Sequence, residues 1–151
     1  ALAGRDRLKA TDQAIRKRLA SHPDAALILS MPGMGATLTA EFIALVGHID
    51  RFDSADALAA AAGLAPVLRQ SGKTSFLRRA AGGDKALKRV FYQAAFTALG
   101  RPDSRAFYDR KRAEGKRHHQ AVIALARRRV NVLWAILRNR TPFRENFKIA
   151  A

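Results

Sequence analysis

Arg117-His118-His119-Gln120-Ala121-Val122-Ile123-Ala124-Leu125-Ala126-Arg127-Arg128-Arg129-Val130-Asn131-Val132-Leu133-Trp134-Ala135-Ile136-Leu137-Arg138 decides the fold. Val122, Ala126, Val130, Leu133 and Leu137 recur at spacings of four and three, the period that puts apolar side chains on one face of an α-helix. A helix over about residues 117–138 with one face in a core is predicted. The three consecutive arginines, Arg127, Arg128 and Arg129, sweep about 200° of arc, so at least one leaves that face. Two of them are expected in solvent and one on a phosphate.

The same period extends upstream. Leu87, Val90, Phe91, Ala94, Ala95 and Ala98 face inward on a helix from Lys85 to Leu99, with Asp84 as its cap and Lys85, Lys88 and Arg89 on the other face. Gly100-Arg101-Pro102-Asp103 starts another helix that stops at Gly115. Ser54 caps a short alanine-rich helix, Ala55 to Ala62, and Gly63 ends it. Farther up, Asp24 is placed to cap a helix from Ala25 to Ser30, in which Leu27, Ile28 and Leu29 are apolar enough to be buried. Residues 2–20 form a polar helix with a thin stripe at Leu8, Ile15 and Leu19, one seam against a partner helix. No stretch alternates as a strand does. The expected fold is all-α, a compact multi-helix domain over 23–138, preceded over 1–22 by the end of a coiled-coil connector and followed over 139–151 by a tail in which Phe143 and Phe147 are docking points.

Between the short helix ending at Ser30 and a helix from about Ala36 to Val46 stands Met31-Pro32-Gly33-Met34-Gly35. Two glycines two apart let backbone approach a phosphate, and the first-turn N–H groups of the next helix point at it. The pattern resembles the helix-hairpin-helix motif that grips nucleic-acid backbones, with Gly33 and Gly35 as phosphate contacts. A structural turn between core helices is the competing reading.

Charge narrows the function. Lys and Arg number 28 against 12 Asp and Glu, for a net charge of +16 and a pI near 11.6, while 48% of residues are hydrophobic. A folded domain with that imbalance attracts polyanions, and nucleic acid is the leading partner because neutralised phosphates release condensed counterions. There is no cysteine, which excludes disulfides, thiolate catalysis and cysteine-based zinc sites. The four histidines have no metal-ligand spacing, since His118 and His119 are adjacent and point about 100° apart on a helix. No run approaches the ~18 apolar residues of a membrane span, and no secretory or transit signal opens the sequence. Intracellular residence is the expectation.

The segment Gly63 to Gly83 is the candidate for chemistry. Ser71, in Gln70-Ser71-Gly72, sits among Arg69, Lys73, Arg78 and Arg79, with no carboxylate between Asp56 and Asp84. These cations can clamp phosphate oxygens. By itself a Ser-Gly pair is most often a turn; a serine in such surroundings can also serve as a nucleophile toward phosphorus.

Met31-Pro32-Gly33-Met34-Gly35, Ala40-Glu41-Phe42, Arg51-Phe52, Ala62-Gly63-Leu64-Ala65-Pro66 and Gln70-Ser71-Gly72 follow in an order that resembles one insertion-sequence family. Leu87-Lys88-Arg89-Val90-Phe91-Tyr92, Ser104-Arg105-Ala106-Phe107-Tyr108, Lys111 to His118 and Ala126 to Trp134 continue it. The blocks are similar to the C-terminal transposase domain of the DEDD transposases, also called bridge-RNA-guided serine recombinases, over most of residues 25–138. The resemblance implies a recombinase that exchanges DNA strands through a phosphoserine intermediate, with Ser71 as nucleophile, DNA and guide RNA as partners, a homo-oligomeric full-length protein, and a bacterial cytoplasmic, nucleoid-associated setting. It also implies an N-terminal nuclease-like domain, outside this sequence, whose four acidic residues hold a divalent metal, Mg²⁺ being expected. None of the twelve carboxylates here matches that tetrad, so this chain alone is expected to bind without turnover and to hold no cofactor. Where the family carries Lys-x-Gly-Asn at the helix start after the loop, this chain has Ala81-Gly82-Gly83-Asp84, which leaves capping as the role of that turn.

Two further readings compete with this one. A non-catalytic helix-hairpin-helix module would depend on Gly33 and Gly35 and dispense with Ser71. A small ribosome-associated basic protein is disfavoured by the apolar core and the lack of low-complexity basic tails. On the nucleic-acid readings, the logarithm of the affinity for duplex DNA should fall with the logarithm of salt at a slope of about −0.9 per phosphate neutralised, measured by anisotropy titration; a salt-independent affinity would contradict them.

Overall fold

A computed structural model describes residues 2–64 and 84–145. Seven α-helices run along the described residues, with no strand among them: α1 (Leu2–Leu19), α2 (Ala25–Leu29), α3 (Ala36–Val46), α4 (Ala55–Ala61), α5 (Lys85–Ala98), α6 (Pro102–Ala113) and α7 (His118–Asn139), with a 3-10 turn at Ile49–Arg51. The all-α reading holds.

Helix α7 is the spine, packing against α2, α4, α5 and α6. Its buried set, Val122, Ala126, Val130, Leu133 and Leu137 together with Ala121, Leu125, Val132 and Ile136, is wider than the predicted stripe because neighbours cover it from several sides. Its most extensive contact is with α5, where Ala94 and Ala95 are buried together with Ala121 and Ala126 in one core. Small side chains there let two helix backbones come close. Phe91 on α5 meets Phe42 on α3 edge to face, ring centroids 5.9 Å apart at 84°, a favoured aromatic geometry that joins α3 to the spine pair.

The local signals at two helix starts act as expected. Ser54 Oγ accepts from Ala57 N–H at 3.1 Å, and an Asp84 carboxylate oxygen accepts from Leu87 N–H at 2.8 Å. Asp24 does something else. It occupies the N-cap position of α2 without a capping bond, and its carboxylate pairs instead with Arg140. Arg140, in the left-handed region at φ 54°, closes α7 and also donates to the Pro23 carbonyl at 2.8 Å. The stretch read as tail therefore begins as a strap: Phe143 packs on the core and its N–H donates to Ser30 Oγ at 2.9 Å. Phe147 lies outside the described residues.

Of the three large apolar residues of α2, Ile28 is fully buried, whereas Leu27 and Leu29 are half-buried. Helix α1 reaches the domain only by its C-terminal half. Leu19 is buried with Ala25 and Ala36, Ile15 packs beside them, and Leu8 stays 73% exposed. The seven-residue step from Leu8 to Ile15 thus carries the stripe off the domain altogether. No described helix is long and apolar enough to cross a membrane.

Candidate nucleic-acid interface

The Met31–Gly35 hairpin is held between α5 and α7. Met31 and Met34 are buried, and Gly33 takes φ +89° with its Cα against the Ala94 carbonyl, so close that an added Cβ would overlap that oxygen and stand 3.2 Å from Arg129 Nη2. Only glycine satisfies both the dihedral and the approach. The Arg129 guanidinium donates to the Pro32 carbonyl from the α7 side. Burial pushes Arg129 down to about 10, against an opposing pull from Asp103, and at neutral pH the group remains a cation. Gly33 is thus half-buried, with the side a Cβ would occupy closed by α5.

Gly35 faces the other way. It is exposed, caps α3 in extended backbone, and has open space where a Cβ would go. A depression beside it is lined by Pro32, Gly35, Thr97, Gly100 and Arg101. No side chain caps α3, so its first-turn N–H groups are available to an anion. Both glycines read as phosphate contacts line that depression, Gly35 exposed and Gly33 half-buried.

The three arginines divide differently from the expected two in solvent and one on phosphate. Arg127 pairs with Asp56 and donates to Asn131 Oδ1 at 2.7 Å. Arg128 is exposed, with its guanidinium 5.0 Å from the Phe107 ring centroid, and Arg129 is the buried tie just described. A run of arginines reads as surface in sequence; burial of the third is decided by an acceptor 97 residues away.

Lys85, Lys88 and Arg89 lie exposed on the outer face of α5, as predicted. Arg89 forms an ion pair with Glu41 of α3, while Lys85 and Lys88 form none among the described residues. These three side chains border a cleft between α5 and the start of α7, which is completed by Tyr92, His119 and Ile123. Tyr92 and His119 escaped the sequence reading, since they are 27 positions apart and meet only when α5 and α7 pack.

Ser71, Arg69, Lys73, Arg78 and Arg79 lie outside the described residues. Their anchors are fixed. The chain leaves the core at the buried Leu64, just after α4, and re-enters at Asp84, the cap of α5. Both α4 and α5 rest on α7, and the described chain resumes at Asp84, next to Lys85 and Lys88. Among the described residues no group of His, Asp and Glu could hold a metal ion. His118 Nδ1 is hydrogen-bonded to the Tyr108 hydroxyl at 2.6 Å.

A family model described as the transposase IS116/IS110/IS902 family matches residues 25–109. The chain is similar to the insertion element IS900 uncharacterized 42 kDa protein of Mycobacterium paratuberculosis, 52% identical over 136 residues, which cover 88% of this chain and 34% of that protein. It is similar also to the insertion element IS116 uncharacterized 44.8 kDa protein of Streptomyces clavuligerus, 46% identical over 144 residues, covering 94% and 36%. The pilin gene-inverting protein of Moraxella lacunata is 32% identical over 123 residues, covering 79% and 38%. The chain spans about a third of the length of these relatives.

The hairpin geometry separates two substitutions of the same kind. Gly33→Ala should destabilise the domain by at least ~2 kcal/mol, from backbone strain and overpacking against Ala94. Gly35→Ala should stay within ~0.5 kcal/mol of the parent in urea unfolding. Equal stabilities for the two variants would contradict the placement of Gly33.

Proposed function

The chain belongs to the IS116/IS110/IS902 transposase family, and on that premise we propose that it is the nucleophile-bearing helical part of an enzyme that transposes DNA. One observation supports the reading: within a family of transposases, residues 57–83 hold Ser71 among four cations with no carboxylate, and the described chain resumes at Asp84, next to the exposed lysines of α5. A relative named for inverting a pilin gene supports rearrangement of DNA as the reaction class.

In the proposed step the Ser71 hydroxyl oxygen attacks a phosphorus of the DNA backbone. A bond forms between that oxygen and phosphorus as the serine proton is lost to solvent, the bond to the 3′ oxygen breaks, and the departing 3′ oxygen takes up a proton to leave a 3′ hydroxyl. The 5′ phosphate is then held as a phosphoserine ester, and attack by a new 3′ hydroxyl reverses the step and rejoins the strands. Arg69, Lys73, Arg78 and Arg79 stabilise the charge that builds on the non-bridging oxygens. Lys85, Lys88 and the α3 start at Gly35 bind flanking phosphates and set register without reading sequence. Sequence choice is then left to a guide RNA paired with the target.

A divalent metal would sharpen the phosphate's electrophilicity, but the described residues offer no donor set for one, so the proposal assigns its ligands to a separate domain of the longer protein. This chain alone accordingly binds and does not turn over. The full-length enzyme acts as a homo-oligomer on nucleoid DNA in the bacterial cytoplasm. The alternative, a purely binding hairpin module, is weakened by the close approach of Gly33 to the Ala94 carbonyl at φ +89°, which gives the first glycine of the Gly-x-Gly pattern a structural reason.

Ser71→Ala in the full-length protein should abolish strand exchange in a plasmid recombination assay and leave DNA affinity within about twofold, since a hydroxyl adds no charge to the phosphate contacts. Recombination at the parental rate would reject Ser71 as nucleophile.

A further inference from the structure

The cleft between α5 and the first turn of α7 has more in it than charge. Its volume is about 380 Å³, within the ~300–1,000 Å³ of ligand pockets. Along its floor the rings of Tyr92 and His119 lie 5.3 Å apart between centroids and 31° from parallel, next to Ile123. Lys85, Lys88 and Arg89 form its rim and no carboxylate lines it. Arg89 is committed to Glu41, which leaves the two lysines for a ligand's negative charge.

One turn along α5, Phe96 is 54% exposed, one of two large hydrophobic side chains so exposed among the described residues. It stands edge to face with His118, centroids 6.2 Å apart, and His118 is fixed in turn by its hydrogen bond to Tyr108. Rings at Tyr92, His119, Phe96 and His118 therefore follow the groove between α5 and α7. A core has no use for rings left at the surface. Duplex DNA has none either, because its base faces are already stacked.

We propose that this cleft stacks an unpaired nucleobase on the Tyr92–His119 pair while Lys85 and Lys88 hold the adjoining phosphates, which makes it a site for single-stranded nucleic acid. An aromatic floor with a cationic rim is the arrangement that takes single strands irrespective of sequence, since every base has a π face. The rings are already paired and framed by two packed helices, so little freedom is lost on binding. A displaced DNA strand and an unpaired RNA segment offer the same chemistry. The proposal rests on the reading of the chain as a nucleic-acid-handling transposase part.

The test measures binding of the 151-residue chain to fluorescent oligothymidylate, oligouridylate and a mixed-sequence DNA duplex at fixed salt. Tyr92→Ala and His119→Ala should each weaken single-strand binding about tenfold and leave duplex binding within about twofold, while Tyr92→Phe, which keeps the ring, behaves as the parent. Lys88→Ala should weaken all three and lower the salt slope by about one phosphate's worth. Losses confined to oligothymidylate or to oligouridylate identify the strand as DNA or RNA. Single-strand binding unchanged in both alanine variants, or equal losses on duplex, overturns the cleft. Failure of the parent chain to bind any probe would instead overturn the functional reading beneath it.

Discussion

Arg129 reaches the Pro32 carbonyl from the middle of α7 while Gly33 lies against the Ala94 carbonyl of α5, and that three-way junction fixes the relation of the hairpin to both long helices. A buried guanidinium without an acceptor would be costly; here the acceptor is a turn carbonyl that has no partner in a helix. The same bond orients the turn, while the buried Arg129 Nε has no partner among the described residues. With the turn fixed, α3 starts where Phe42 can meet Phe91, and Gly35 is left outward at the head of α3.

From that junction the surface divides by function. One side of α7 is closed by α2, α4 and α6, with Asp56–Arg127, Asp50–Arg138 and Asp24–Arg140 pairing acidic groups to arginines. Those pairs consume carboxylates that would otherwise repel a polyanion. Among the described residues the outer face of α5 keeps Lys85 and Lys88 without such partners and Phe96 exposed.

Much of the architecture was legible because it is local. The spacing of Val122, Ala126, Val130, Leu133 and Leu137 identified the spine, and Ser54 and Asp84 cap as their positions suggest. What failed depended on partners far along the chain. Asp24 was read as a cap, but Arg140, 116 residues away, takes its carboxylate. Arg129 was indistinguishable from its two neighbours until Pro32 supplied an acceptor. Gly33 and Gly35 look equivalent in sequence and are opposite in space, one pressed on a backbone and the other open. The Tyr92–His119 pair exists only through the packing of α5 on α7, and no spacing rule could announce it. Ser71 and the cations around it were picked out by composition and by order of blocks, and they lie outside the described residues.

The central claim is that Ser71 forms a covalent bond with DNA, with this helical part presenting it and a second domain completing the site. The most direct measurement is to trap the full-length protein on a DNA substrate whose reaction is stalled after cleavage, digest the adduct, and map the modified peptide by mass spectrometry. The account predicts a 5′-phosphodeoxynucleotide on the peptide containing Gln70-Ser71-Gly72. An adduct on any other residue, or efficient strand exchange with no protein–DNA ester at all, would contradict it.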